Sequence, residues 1–153
     1  TAELFALACE LGARLAAPGK PVIHKALREF GLQLGIAYQI YDDCLDVFGE
    51  ENRAGKSLGT DLATGKATLP VLIALERADG IEYKAWLSML KEGGAQADTI
   101  REGLAAREIP AACRAVVEGY IGRANTCVEG LPSANILHGL SDCLMNQLAV
   151  LTE

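Results

Sequence analysis

The stretch Ala37–Asp46, AYQIYDDCLD, places three carboxylates inside a run that is otherwise almost wholly apolar. As a helix at about 100° per residue, it brings one amide and three carboxyl side chains within roughly 100° of arc. These side chains belong to Gln39, Asp42, Asp43 and Asp46. Most other positions of the surrounding segment are apolar, which is typical of a buried helix. The stretch therefore predicts a buried helix with one acidic face.

An acidic face of this kind is either a solvated surface stripe or a metal site. Surface stripes usually alternate acidic and basic residues four positions apart, and this stripe contains no cation. Carboxylates this close repel one another, and a divalent cation relieves the repulsion. Oxygen ligands without His or Cys favour a hard ion, Mg²⁺ or Mn²⁺, which keeps positions open for phosphate oxygens. Asp42, Asp43 and Asp46 are therefore the predicted metal ligands.

The loop after this helix supplies the opposite charge. Gly49–Lys66 reads GEENRAGKSLGTDLATGK, and a glycine precedes both Lys56 and Lys66. A carboxylate–metal cluster facing lysines is the outline of a diphosphate site, because the lysines neutralise the charge that the metal leaves. Either lysine taken alone would be interpreted as a solvated surface residue.

Composition predicts one all-α domain over residues 1–153. Hydrophobic residues make up 50% of the 153 positions, charged residues 22% and aromatic residues only 5%. Apolar residues recur at helical spacing, and no strand-like alternation is present. The predicted helices are Glu3–Ala16, with Leu4, Leu7, Ala8, Leu11 and Leu15 on one face, then 22–48, 69–79, Glu82–Lys91, Asp98–Arg107, Ala111–Gly130 and Ser133–Leu151. Gly49–Gly65 is predicted to be an ordered loop.

Charge and cysteine usage exclude several classes of protein. The net charge is −6 and no Lys/Arg-rich run occurs, so nucleic acid is not an expected partner. No uncharged apolar run is long enough to span a membrane. The five cysteines are scattered without a C-x-x-C pair, which favours free thiols in a reducing cytoplasm.

Gly35–Pro70 resembles the second aspartate-rich region of the trans-isoprenyl diphosphate synthases, or polyprenyl synthetases. The matching elements are a Gln three residues before DDxxD, the loop GKSLGTDL, and GKATLP at the start of the next helix. Thr1-Ala2-Glu3-Leu4-Phe5 and the segments near Tyr120 and Pro132 are also similar to the family. The resemblance implies an isoprenoid-synthase-type helical bundle, of which this chain is expected to be the C-terminal portion.

The family's chemistry joins isopentenyl diphosphate to an allylic diphosphate and yields (poly)prenyl diphosphates. The resemblance implies that Asp42, Asp43 and Asp46 hold Mg²⁺, with Asp42 as the direct ligand. It implies that Lys56 and Lys66 bind the diphosphate and help it to leave, and that Thr1 and Gln39 bind substrate. Asp42, Lys56 and Lys66 are thus the expected catalytic residues.

The sequence departs from the family pattern in one major respect. The first DDxxD motif of the family is absent from these residues, where Asp61 and Asp79 stand isolated. We therefore expect the chain to lack elongation activity alone. Uncovered apolar faces predict a homo-oligomer, such as a homodimer.

Three alternatives remain at the level of sequence. The chain could be a non-catalytic partner subunit of a prenyl synthase, although such a subunit has no need of the aspartates and lysines. A class I terpene cyclase shares the fold and the metal–diphosphate trigger, but its second motif usually mixes Asn, Ser or Thr with Glu. A plain Mg²⁺-binding helical module is the third.

Overall fold

The helices of the computed structural model follow the apolar periodicity of the sequence. The structure describes residues 1–49, 58–132 and 134–149, and that part of the chain contains no strand. Its α-helices are α1 (Ala2–Ala16), α2 (Pro21–Phe48), α3 (Thr60–Ala63), α4 (Leu69–Arg77), α5 (Gly80–Glu92), α6 (Ala97–Ala106), α7 (Ile109–Val128) and α8 (Ala134–Ala149). A short 3-10 helix, Gly93–Gln96, joins α5 to α6. The predicted all-α class is confirmed.

Most predicted helix boundaries lie within a few residues of the observed ones. The predicted loop at Gly49–Gly65 is wrong in part, because α3 forms inside it. A helix of four residues is too short to show a repeating apolar pattern, so periodicity could not predict it. The described helices include none that is both long and apolar enough to cross a membrane.

The described residues divide into two compact units. Unit 1 contains Thr1–Ile40 and residues 115–149, and unit 2 contains Tyr41–Arg114. The boundaries fall within α2 and within α7. The single domain expected from composition stays a prediction.

In unit 1, α1 packs closely on α2 through small residues. A Cβ built on Gly31 would lie 2.5 Å from the Phe5 carbonyl oxygen, and one on Gly35 would lie 2.7 Å from the Ala2 Cα. Gly31 and Gly35 therefore allow the two backbones to approach more closely than any larger residue would. The rings of Phe5 and Tyr38 meet at 5.5 Å along the same contact.

The leucine side chains of α1, unlike Phe5, point away from this contact. Ala6 and Ala13 are buried. The exposed fractions of the leucines are 71% for Leu4, 50% for Leu7, 51% for Leu11 and 85% for Leu15. We call these four residues the leucine stripe.

Unit 2 has its own core, built from α3 to α7. Its fully buried apolar side chains include those of Leu62, Val71, Ile100, Leu104, Ile109 and Cys113. Asp79 caps α5 by accepting hydrogen bonds from the backbone N–H groups of Ile81 and Glu82, both at 3.0 Å. This core supports the loop on which the candidate site depends.

Candidate metal and diphosphate site

The aspartate-rich segment is helical, as predicted, because α2 continues to Phe48. Asp42 and Asp43 are half-buried, whereas the residue Asp46 is only 6% exposed. Its neighbours Cys44 and Val47 are buried as well. The interpretation as a solvated acidic stripe is therefore wrong for Asp46. The end of α2 contributes Cys44, Asp46 and Val47 to the buried core.

The buried Asp46 carboxylate binds the segment that follows the loop. One of its oxygens accepts a hydrogen bond from the Thr60 hydroxyl at 3.0 Å, and the other accepts one from the Asp61 N–H at 2.9 Å. The Asp46 carbonyl oxygen also accepts the Gly59 N–H at 2.8 Å. Gly59 adopts a φ of +76°, a left-handed conformation that glycine reaches without strain. Asp46 therefore fixes the first turn of α3 to the end of α2.

Lys66 lies five residues beyond this anchor, and Asp61 holds it at two points. The Lys66 N–H donates to the Asp61 carbonyl oxygen at 2.8 Å. The Lys66 ammonium group forms an ion pair with the Asp61 carboxylate at 3.1 Å. The side chains of Lys66 and Asp61 are 56% and 19% exposed, so the lysine head group is open to solvent.

The field of the aspartates reaches Lys66. The hydrogen bond with Asp61 raises the pKa of the Lys66 ammonium group, and desolvation acts in the opposite direction. The negative charges of Asp61, Asp43 and Asp46 add to the rise. Unit 2 thus brings the predicted Lys66 into electrostatic contact with two of the predicted aspartates.

Three predicted site residues remain, Thr1, Gln39 and Lys56. In unit 1, the Thr1 hydroxyl donates a hydrogen bond to the Gln39 side-chain oxygen at 2.6 Å. Lys56 lies in 50–57, outside the described residues. The roles assigned to these residues stay predictions.

Sequence reasoning missed two residues around the site. Asp61 was not among the predicted site residues, although it connects Asp46 to Lys66. Arg101 on α6 donates from its Nε to the Val47 carbonyl oxygen at 2.8 Å and pairs with Asp98 at 2.9 Å. It thereby satisfies a carbonyl at the end of α2 that has no partner within the helix. No local motif marks Arg101, whereas GTD after the aspartates could have marked Asp61.

The donor chemistry of Asp42 and Asp43 suits a hard cation. Both are half-buried carboxylates one position apart on α2, and Mg²⁺ commonly takes only one or two protein carboxylates. Within the described ranges, no group of three His, Cys, Asp or Glu side chains is arranged to hold a metal ion. The arrangement fits a cation shared with a ligand better than an all-protein cage.

Comparisons with known proteins identify the family of this chain. The chain matches the polyprenyl synthetase family over residues 1–106. It is 38% identical over 132 residues to heptaprenyl diphosphate synthase component 2 of Bacillus subtilis, covering 86% of this chain and 37% of that protein. It is 43% identical over 93 residues to a short chain isoprenyl diphosphate synthase of Methanothermobacter thermautotrophicus, covering 61% of this chain and 28% of that protein.

Solved structures show the same fold. A polyprenyl synthase from Caulobacter crescentus, complexed with calcium and isoprenyl diphosphate, superposes with a TM-score of 0.83 at 33% identity. That superposition covers 95% of this chain and 46% of the Caulobacter chain. A decaprenyl diphosphate synthase from Rhodobacter capsulatus gives a TM-score of 0.82 at 28% identity, over 97% of this chain and 47% of that one.

The chain has the all-α fold of the isoprenyl synthases. The chain belongs to the polyprenyl synthetase family. It spans less than half the length of the relatives described above.

Proposed function

We propose that this chain serves a trans-prenyltransferase, which condenses isopentenyl diphosphate with an allylic diphosphate to make (poly)prenyl diphosphates. Membership of the polyprenyl synthetase family supports the reaction class. The observation that carries the proposal is the position of Lys66, which Asp61 holds within the field of Asp43 and Asp46. Such an arrangement presents both a metal-binding face and a cation to one diphosphate.

In the proposed reaction, the C–O bond of the allylic diphosphate breaks and its electron pair leaves with the diphosphate. The double bond of isopentenyl diphosphate then attacks the allylic carbocation, and loss of a proton restores an alkene. Lys66 and Lys56 neutralise charge on the leaving diphosphate. Thr1 and Gln39 are proposed to bind substrate.

Asp42, Asp43 and Asp46 are the proposed ligands of Mg²⁺, or of Mn²⁺. When bound, the ion would polarise the diphosphate oxygens and stabilise the negative charge that develops as the diphosphate leaves. Asp46 already accepts a hydrogen bond on each carboxylate oxygen. We therefore assign the direct contact to Asp42 first, and propose that Asp46 mainly fixes the geometry of the site.

A partner role is the second candidate function, and the Bacillus subtilis relative favours it, because that protein is named as component 2 of a heptaprenyl diphosphate synthase. In that case the chain would act with another subunit and would be inactive alone. We propose a cytoplasmic location, in keeping with five free cysteines.

Calorimetric titration with a bisphosphonate, with and without Mg²⁺, tests the diphosphate site. We expect binding that requires Mg²⁺ and that Asp42→Ala or Lys66→Ala weakens by about tenfold, as loss of a charge-assisted contact does. Asp142→Ala and Lys91→Ala remove the same charges from exposed positions on α8 and α5 and serve as controls. Binding that is absent, or independent of Mg²⁺, would count against the proposal.

An activity assay with both isopentenyl diphosphate and an allylic diphosphate then distinguishes a synthase from a cyclase. A synthase consumes isopentenyl diphosphate together with the allylic diphosphate, whereas a cyclase leaves isopentenyl diphosphate untouched. Activity that appears only when a second, full-length synthase subunit is added, and that Asp42→Ala does not change, would favour the partner role.

A further inference from the structure

Asp61 is the residue through which the end of α2 and Lys66 are connected. Its N–H donates to Asp46, and its carbonyl oxygen accepts both the Lys66 N–H at 2.8 Å and the Thr64 hydroxyl at 3.1 Å. Its carboxylate pairs with the Lys66 ammonium group. Backbone and side chain of one residue therefore act on the same lysine.

The backbone around Lys66 is fixed independently of that ion pair. Gly65 has a φ of +69°, and a Cβ there would lie 2.6 Å from the Leu90 carbonyl oxygen. Gly93 has a φ of +59°, and a Cβ there would lie 2.7 Å from the Ala63 carbonyl oxygen. The turn between α3 and α4 is thus tightly seated against the end of α5. What remains free at Lys66 is the direction of its long side chain.

A lysine side chain has four rotatable carbons and a single charge, so a partner must restrict its rotamers if the ammonium group is to stay in one place. The Asp61 carboxylate provides that restriction, and it is itself held through the N–H of the same residue to the buried Asp46. The direction of the Lys66 side chain is therefore set by its connection, through Asp61 and Asp46, to α2.

We propose that Asp61 is a positioning residue that aims the Lys66 ammonium group at the ligand bound by the aspartates of α2. This inference rests on the proposed function, because it takes Lys66 to be a diphosphate-binding group. It predicts that loss of the Asp61 charge weakens anion binding, which is the opposite of the effect expected from net charge alone. Removing a negative charge from a chain with a net charge of −6 should strengthen anion binding if charge alone matters.

Titration of the protein with inorganic pyrophosphate in the presence of Mg²⁺ tests the role of Asp61. We expect Asp61→Asn to weaken binding by about twofold to fivefold, the range for loss of one partly exposed ion pair. Asp79→Asn is the matched control, since it removes the same charge while Asn still caps α5. It should leave the affinity unchanged or slightly higher.

A double-mutant cycle separates positioning from a general disturbance of the fold. In a Lys66→Ala background, Asp61→Asn should no longer weaken binding, because the side chain that it orients is gone. Weakening of equal size in both backgrounds would overturn the inference, as would an Asp61→Asn variant that binds as tightly as the wild type. Failure of the wild type itself to bind Mg²⁺-pyrophosphate would overturn the proposed function and this inference together.

Discussion

Asp46 combines two demands on one side chain. It belongs to the aspartate set proposed to bind Mg²⁺, and its carboxylate oxygens also hold Thr60 and Asp61. Asp46 is buried, so loss of either hydrogen bond would leave a donor without a partner and lower the free energy of unfolding. The two demands can be separated by substitutions that differ in shape and charge.

Asp46→Asn should keep the fold and weaken Mg²⁺-dependent binding, because the two anchoring hydrogen bonds persist while one of the three neighbouring carboxylate charges is removed. The amide oxygen can accept the Asp61 N–H, while the amide NH₂ donates to the Thr60 hydroxyl, so we expect a loss in unfolding free energy of about 1 kcal/mol or less. Asp46→Ala leaves the Asp61 N–H unsatisfied and should cost about 2–3 kcal/mol. Urea denaturation measures both values, and Mg²⁺-dependent bisphosphonate binding should fall in both variants. Equal stability of the two variants would show that Asp46 does not anchor the loop.

At the scale of elements, the contact of α1 with α2 depends on residues that carry almost no hydrophobic signal. Gly31 and Gly35 on α2 lie against Ala2, Phe5 and Cys9 on α1. Two helix backbones can approach this closely only where one of them has no side chain. Adding even a methyl group at such a position should therefore destabilise the contact.

Gly31→Ala should destabilise the protein, although alanine favours a helix over glycine by about 1 kcal/mol. The new Cβ would meet the Phe5 carbonyl oxygen, a backbone atom that cannot rotate away. We expect a net loss of about 1–3 kcal/mol, the range for overpacking. Gly12→Ala is the control, because nothing lies within 4 Å of a Cβ there, and it should stabilise α1. Thermal and urea unfolding of the two variants should therefore move in opposite directions.

The elements show what a sequence can and cannot predict. Periodicity predicted the long helices, because apolar spacing controls burial along many turns. It could not orient α1, since a pattern that counts large apolar residues selects the leucine stripe, whereas the observed core contact uses alanine and glycine. The aspartates and Lys66 were predicted from their spacing. Asp61 and Arg101 were missed because their roles depend on hydrogen bonds to a helix end, which no spacing rule encodes.

At the scale of the whole molecule, the leucine stripe is a row of exposed apolar side chains on one helix of the described part of the chain. Leu4, Leu7, Leu11 and Leu15 fall on one side of α1, and each is at least half exposed. Continuous apolar surface of this kind usually marks an interface. The stripe is rigidly presented, because the opposite side of α1 is seated on Gly31 and Gly35.

We therefore expect the chain to self-associate in a concentration-dependent way. The double substitution Leu7→Glu and Leu11→Glu should raise the dissociation constant by about 100-fold or more, since it removes buried apolar area and adds like charges at the interface. Analytical ultracentrifugation and light scattering measure the change. Binding of an apolar dye should fall in the same variant.

The matched control places the same two charges on exposed apolar residues elsewhere. Leu72 and Ile81, in unit 2, are 49% and 86% exposed, so Leu72→Glu with Ile81→Glu changes the net charge equally without touching α1. Association that depends on the leucine stripe should survive in this control, whereas association through general apolar exposure should weaken in both variants. A wild-type chain that stays monomeric at all concentrations and binds no apolar dye would refute the idea that the stripe is an interface, because a free row of leucines exposes its hydrocarbon to water at a cost that association removes.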